Sequence, residues 1–260
     1  MKQKYTTTHL DNRVLRVTLS RNEVLNALNP EMIDEITEVF IKASKNKDVR
    51  VIIVESKGDI FCAGADLNWM KNSIKVTKKK NLQSAHALYD MYKSIYFCPK
   101  PVIAKIQGSA FGGGVGLIAC CDIAVMIRKA TLSLSELKLG LIPSTIAPFF
   151  QRKIGIQNLK YFGLCSKRIP AEECKQIGLV NDLVSAPDEL EYKVKEYAET
   201  FLQLSPQAIR RFKKLCDDIE FLSVKKAQKI TSEEIADIRT TPEAQEGLKA
   251  FFEKRKPNWP

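Results

Sequence analysis

The stretch Val102–Ile103–Ala104–Lys105–Ile106–Gln107–Gly108–Ser109–Ala110–Phe111–Gly112–Gly113–Gly114–Val115–Gly116 decides the fold. Val102–Ile106 is short and largely β-branched, as a buried strand is. The glycines Gly112–Gly113–Gly114 open a short helix, and Ile123–Ala124–Val125–Met126–Ile127 reads as the next strand. Strands alternating with helices argue for an α/β core with parallel strands. Upstream, Val51–Ile52–Ile53–Val54 is continuous and β-branched, as expected of a strand buried on both faces. Val14–Leu19 alternates like a half-buried strand. Between them Asn29 suits an N-cap and Pro30 a first helical position, with Met32, Ile33, Ile36, Val39 and Phe40 at helical spacing behind. A lysine-rich segment from Lys71 to Lys80 precedes a helix expected from about Leu82 to Phe97. From Ile156 the pattern turns helical, and after Ser205–Pro206 it stays helical to Phe252, with no internal repeat.

A chain of 260 residues with 45% hydrophobic content can bury a sizeable core, which argues against disorder. The net charge of +11 fits a solvated lysine surface or attraction to a polyanion. Cys62, Cys98, Cys120, Cys121, Cys165, Cys174 and Cys216 are odd in number, form no C-x-x-C pair and sit mostly among apolar neighbours. Small buried thiols in a reducing compartment are expected. His9 and His86 are the only imidazoles and are far apart in sequence, which disfavours a zinc site or a Ser–His triad. Met1 to Leu10 has no apolar core of a signal peptide, and Val115–Cys121 is too short to span a bilayer. A soluble, cytoplasmic protein without a membrane anchor is expected.

Three loops carry candidate chemistry. Phe61–Cys62–Ala63–Gly64–Ala65–Asp66–Leu67 places small residues where another molecule can approach the backbone, although a tight turn explains it equally well. Gly108–Gly116 leaves N–H groups unpaired at a helix start, where an anion or a developing oxyanion fits. The spacings of a dinucleotide fingerprint and of a P-loop are both absent. Ser133–Leu134–Ser135–Glu136–Leu137–Lys138–Leu139–Gly140–Leu141–Ile142–Pro143 holds one carboxylate among apolar residues. A loop glutamate ordinarily faces solvent. If the fold buried Glu136 beside the other loops, its pKa would rise and it could exchange protons near neutral pH.

In order and spacing the three loops resemble the crotonase superfamily, the enoyl-CoA hydratase/isomerase family. The resemblance runs from Arg21-x-x-x-x-Asn26–Ala27–Leu28 to Phe251–Phe252–Glu253–Lys254–Arg255–Lys256. It implies an α/β spiral of ββα units over residues 1–204 and a helical oligomerisation segment over 205–260. It also implies a homotrimer or a dimer of trimers. No tightly bound cofactor or metal is implied; the substrate arrives as a coenzyme A thioester. By the same resemblance the N–H groups of Ala65 and Gly113 form an oxyanion hole, and Leu25, Ala27, Ala63, Asp66, Leu67 and Asn68 line the CoA site. Phe251 and Lys254 match tail positions that reach the nucleotide end of CoA.

Two positions depart from the family pattern. Hydratases of the family commonly carry one glutamate two residues after the triple glycine and a second where Glu136 stands; here the first place is Gly116. The family's glycine-rich stretch after Ile-Pro is replaced by Ser144–Thr145–Ile146–Ala147–Pro148. With Ala63–Met70, these features are similar to a subgroup hydrating methylglutaconyl-CoA in leucine breakdown, and to isohexenylglutaconyl-CoA hydratase. The expectation is an enoyl-CoA hydratase with Glu136 as its acid/base. A Δ3–Δ2 enoyl-CoA isomerase or a decarboxylase is the alternative, because one carboxylate suffices to move a proton. The lysines at Lys71, Lys75 and Lys78–Lys80 leave a nucleic-acid-binding role as a minor alternative, without any RRM, KH or zinc-finger signature. CoA-ester binding without chemistry follows if Glu136 faces solvent.

Overall fold

The run at Val51–Val54 lies at the centre of the molecule. The structure, a computed structural model, describes residues 3–260; Met1 and Lys2 of the polar N-terminal stretch lie outside the described residues. The elements in chain order are strands β1 (Thr6–Asp11) and β2 (Val14–Leu19), helix α1 (Pro30–Lys45), β3 (Val51–Ser56), β4 (Ile60–Cys62), α2 (Leu67–Ser73) and α3 (Lys78–Tyr96). Then follow β5 (Val102–Ile106), β6 (Ser109–Phe111), α4 (Gly113–Ala119), β7 (Ile123–Ile127), β8 (Thr131–Ser133) and α5 (Ala147–Cys165). The chain ends with β9 (Ile169–Pro170), α6 (Ala171–Gln176), β10 (Asp182–Val184), α7 (Pro187–Leu202), α8 (Pro206–Ile219), α9 (Val224–Arg239) and α10 (Pro242–Phe252).

The order ββα recurs three times: β3-β4 with α2 and α3, β5-β6-α4, and β7-β8-α5. The first strand of each unit enters a six-stranded sheet in the order β1-β2-β3-β5-β7-β10. The second enters a four-stranded sheet in the order β4-β6-β8-β9. Pairing from β2 through β10 is parallel, with Ile52 opposite Val102 and Ile103 opposite Ile123. Successive turns of the chain therefore stack like a spiral, and equivalent loops emerge on one edge. In the six-stranded sheet β1 runs antiparallel, joined to β2 through Asn12 and Arg13, both at positive φ, the geometry of a two-residue hairpin turn; in the four-stranded sheet β9 runs antiparallel to β8.

β3 is buried on both faces, as its composition predicts. Ile52 and Val54 join the main core, while Val51 and Ile53 pack with Ile103 and Val125 against Leu190, Val194 and Ala198 of α7. The Asn29 side chain caps α1 through the Met32 N–H at 2.9 Å, and Met32, Ile33, Ile36, Val39 and Phe40 form its buried stripe. Buried Glu35 on that helix accepts the N–H groups of Lys4, Tyr5 and Thr6 and the Thr6 hydroxyl. A carboxylate with four donors can be buried at tolerable cost.

Some boundaries differ from the sequence expectation. α3 starts at Lys78 rather than near Leu82, because the Thr77 side chain caps it; the lysines thus lie on α2 (Lys71), in the connection after it (Lys75) and on the first turn of α3 (Lys78–Lys80). Helix begins at Ala147, before Ile156, with Gly155 at φ 77 kinking it. Strands β9 and β10 interrupt the region read as wholly helical; two- and three-residue strands carry no periodicity to detect. Five of the seven cysteines are buried, while Cys165 and Cys216 are exposed. No helix among the described residues is long and apolar enough to cross a membrane.

Candidate active site

The ββα units leave three loops on the edge where β4, β6 and β8 end. The first follows Cys62. Leu28 N–H donates to Gly64 O at 2.7 Å and Asp66 N–H to Leu28 O at 2.8 Å, a parallel bridge between Leu28 and Ala65. In such a bridge the flanking residues face the partner strand and the middle one faces away. The Ala65 N–H accordingly has no hydrogen-bond acceptor among the described residues.

Asp66 then caps α2, accepting from Asn68 and Trp69 N–H, and pairs with Arg21 at 2.9 Å. Burial works against the Asp66 carboxylate, but the Trp69 N–H, the Arg21 guanidinium and the Asn68 N–H outweigh it and hold its pKa below the ordinary value. The Arg21 N–H in turn reaches Asn26 Oδ1 at 3.0 Å, and Asn26 Nδ2 donates to Lys57 O and Ile60 O. The motif Arg21-x-x-x-x-Asn26–Ala27–Leu28 is thus a brace under the first loop, with Leu25 and Asn26 both at positive φ.

The second loop touches the first backbone to backbone. A Cβ on Gly64 would stand 2.9 Å from Phe111 O and 3.6 Å from Gly113 N; one on Gly114 would stand 2.6 Å from Cys62 Cβ. Larger residues would drive the loops apart. Gly113 begins α4, where first-turn N–H groups have no intrahelical acceptor, and none outside the helix takes the Gly113 N–H among the described residues. α4 has only seven residues, so the local N–H groups matter more than a macrodipole.

Glu136 lies on the third loop, at the start of a single 3₁₀ turn, Glu136–Leu139. Pairing of Phe111 with Ser133 and a 2.9 Å bond from Gly112 N–H to Ser133 O tie this loop to the second. A Cβ on Gly112 would meet Glu136 Oε1 at 3.0 Å. Oε2 is buried with no hydrogen-bond partner among the described residues. Burial raises the Glu136 pKa, opposed only by its own backbone N–H. The fold thus half-buries Glu136, an outcome the sequence alone left open.

Gly116 explains why the carboxylate has no partner acid. A Cβ there would lie 2.4 Å from Ile146 Cγ2 and 2.9 Å from Tyr92 Cε1 and Cζ. Ile146 precedes α5 and belongs to the replaced stretch Ser144–Pro148, so the two departures from the family pattern touch in space. The Tyr92 hydroxyl donates to Gly113 O at 2.9 Å, and burial, with nearby Cys120, Cys62 and Glu136, pushes its pKa well up. It stays a neutral donor steadying the turn that presents the Gly113 N–H.

Tyr92 as a site component and the pairing of Arg21 with Asp66 go beyond the sequence expectation. Tyr92 carries no sequence signal beyond its place in a helix, whereas Ile146 stood in the replaced stretch, Arg21 in the quoted motif and Asp66 among the residues expected to line the CoA site. Leu25, Leu67 and Asn68 are exposed around the first loop, Ala63 is half-buried, and Ala27 and Asp66 are buried beneath it. Exposed Phe251 and Lys254 have no hydrogen bond or ion pair with the three loops among the described residues, and α10 packs on α9. His9 and His86 are exposed. No cluster of three His, Cys, Asp or Glu side chains suited to a metal occurs among the described residues.

Two N–H groups without an acceptor among the described residues thus stand on apposed loops, with a half-buried carboxylate beside one of them. The family model for enoyl-CoA hydratase/isomerase matches residues 9–260. The chain belongs to the enoyl-CoA hydratase/isomerase family, and it is an enzyme with the crotonase fold. The crystal structure of an enoyl-CoA hydratase from Shewanella pealeana superposes with a TM-score of 0.95 at 35% identity, covering 99% of this chain and 97% of that one. YngF of Bacillus subtilis, named for enoyl-CoA hydratase/isomerase, is 34% identical over 92% of both chains. The short-chain-enoyl-CoA hydratase of Clostridium acetobutylicum is 30% identical over 95% of this chain and 94% of its own length.

Proposed function

We propose that this enzyme adds water across the double bond of an enoyl-CoA, using the N–H groups of Ala65 and Gly113 as the oxyanion hole and Glu136 as its single acid/base. The observation that carries this reading is the buried, unpartnered Oε2 of Glu136, whose carboxylate abuts Gly112 next to the free Gly113 N–H. Hydrogen bonds to the thioester oxygen make Cβ electrophilic and stabilise the enolate formed on attack; one such donor is worth about 3–4 kcal/mol. Glu136 takes a proton from water as the oxygen bonds to Cβ, then returns a proton to Cα. A β-hydroxyacyl-CoA results and the carboxylate is regenerated.

The CoA chain would run past Leu25, Ala27, Ala63, Asp66, Leu67 and Asn68, with Phe251 and Lys254 at its nucleotide end. The exposed lysines Lys71, Lys75 and Lys78–Lys80 suit the approach of its phosphates. Similarity to the methylglutaconyl-CoA subgroup favours 3-methylglutaconyl-CoA or a related branched enoyl-CoA as substrate. Residues 205–260 serve as the oligomerisation segment of a trimer or hexamer, supported by exposed Phe212, Phe221, Val224, Phe251 and Phe252 on α8–α10 and the connections beside them.

Δ3–Δ2 isomerisation is the second reading, favoured by the closed space at Gly116. Supplying 3-methylglutaconyl-CoA, crotonyl-CoA and a 3-enoyl-CoA separately, with products resolved by mass spectrometry, distinguishes the two. Hydration yields a product heavier by one water. Turnover of the 3-enoyl-CoA alone, with no hydroxyacyl product, overturns the hydratase reading. Glu136→Gln should lower kcat by about 10²–10⁴-fold with CoA-ester binding retained, and full activity in that variant would remove Glu136 from the mechanism.

A further inference from the structure

The spiral has a second edge, opposite the three loops, where the parallel strands begin. Arg13 occupies the β1–β2 turn, Arg50 precedes β3, and Lys100 stands two residues before β5. Lys45 and Lys47 come from the end of α1 and the turn after it, and Arg210 from α8. These six cations line one cavity of about 740 Å³, a size that suits a small organic ligand.

The backbone sets the cluster. Arg50 and Val51 N–H groups donate to Arg13 O at 2.8 and 3.3 Å, which fixes the two arginines side by side. Arg50 is buried, at 7% exposure, and its guanidinium donates to Leu204 O and Pro260 O; Arg13 donates to the same Pro260 oxygen. The Lys100 ammonium reaches Asn46 O and Val49 O.

None of the six cations forms an ion pair with a side-chain carboxylate among the described residues. Arg16, Arg21, Arg128, Arg152, Arg211 and Arg255 elsewhere each do. Glu243 is the one acidic side chain lining the cavity; its carboxylate accepts the Ser205 hydroxyl and the Gln207 N–H and acts on Arg50 only through space. Asp48 adds one further negative charge near Lys100. Burial first, and then the neighbouring cations, lower the pKa of both Arg50 and Lys100.

We propose that this cleft, at the strand-start edge and apart from the thioester loops, binds a small polyphosphate anion. Arginine forks match phosphate oxygens bidentately, and a cleft lined by one sign of charge concentrates anions. Pro99, Pro101, Pro206 and Pro260 line the same cavity and offer flat apolar faces. A nucleoside polyphosphate therefore fits it as well as a free polyphosphate does.

Titration calorimetry of the intact protein with ATP and, separately, inorganic tripolyphosphate tests this at low salt. Saturable binding of one equivalent is expected, weakening as salt rises. Tighter binding of ATP identifies the nucleotide as the source, and equal binding identifies the polyphosphate alone. Lys47 and Arg210 are exposed, so Lys47→Glu/Arg210→Glu should fold, lose binding by about tenfold or more, and turn over crotonyl-CoA at the parent rate. Lys45→Glu alone should give a smaller loss in the same direction. Binding unchanged by the paired reversal overturns the proposal. So does failure of both anions to bind, including the case in which only a long oligonucleotide binds.

Discussion

Gly116→Ala tests the closed wall beside the candidate carboxylate most directly. The added methyl would lie 2.4 Å from Ile146 Cγ2 and 2.9 Å from the Tyr92 ring, whereas carbon atoms rest about 3.5–4.0 Å apart. Neither neighbour can yield easily: Ile146 is 2% exposed and Tyr92 0%, and the Tyr92 hydroxyl is held by Gly113 O. Overpacking of this kind costs about 1–3 kcal/mol. Replacing a mid-helix glycine by alanine returns about 1 kcal/mol of helix propensity. With two immobile neighbours the steric cost falls in its upper half, leaving a net loss of about 1–2 kcal/mol. For a chain of this size that lowers Tm by about 2–6 °C.

Gly163→Ala supplies the internal control. Gly163 lies in the last turn of α5, and a Cβ there meets nothing within 4 Å, so the same change should stabilise by up to about 1 kcal/mol. Thermal and urea unfolding followed by circular dichroism, at one protein concentration, compare the two variants. Opposite signs are expected. Adding Ile146→Ala to Gly116→Ala removes the clashing methyl, so the double variant should lose less stability than the sum of the single changes. If Gly116→Ala proves as stable as Gly163→Ala, the wall formed by Tyr92 and Ile146 is not rigid and the single-carboxylate reading loses its steric basis.

Two further outcomes follow from the same geometry. Because burial raises the Glu136 pKa, the base form accumulates only above the ordinary carboxylate value of about 4.3, and the acid limb of kcat/KM should sit higher than that. Below the unfolded pKa both states are protonated; as pH rises, the unfolded chain releases this proton first, so the group's contribution to stability is lost through the folded pKa. Glu136→Gln should therefore gain stability relative to the parent between acidic and neutral pH, and parallel stability curves would refute the shift. Tyr92→Phe keeps the ring but removes the hydroxyl that donates to Gly113 O, costing about 0.5–1.5 kcal/mol and lowering kcat more than it raises KM. An unchanged unfolding midpoint would show that the hydroxyl holds nothing.

Long, strongly patterned elements were legible in the sequence. β3 announced itself because burial on both faces leaves no polar position, and α1 because Asn29, Pro30 and a regular apolar stripe agree. β4, β6 and β8 span three residues each, too few to show alternation, yet they hold the site: each delivers one loop to the same edge. What the sequence could not supply was distance. Glu136 in a loop looks solvent-facing until β8 pairs with β6 and buries one of its oxygens. Asp66 looks like a surface acid until Arg21, 45 positions earlier, reaches it. Tyr92 reads as one more buried aromatic on a helix, and only the closure of α3 over α4 turns its hydroxyl toward Gly113.

The two unusual positions in the sequence, Gly116 and Ile146, form one arrangement in space. A glycine after the triple glycine looks like the loss of a functional group, and an isoleucine in place of a small residue looks like loop drift. In the structure the isoleucine methyl occupies the volume a side chain at position 116 would need. Placing a glutamate at 116 alone would therefore add steric overlap and also take a charge into a buried position, a combination costing several kcal/mol. Either change made without the other opens a cavity or creates a clash, so the route to a second carboxylate requires both positions to change together, with Tyr92 shifted as well. That coupling is why position 116 supplies no second carboxylate beside Glu136: the packing of Ile146 and Tyr92 closes the space there rather than leaving it vacant.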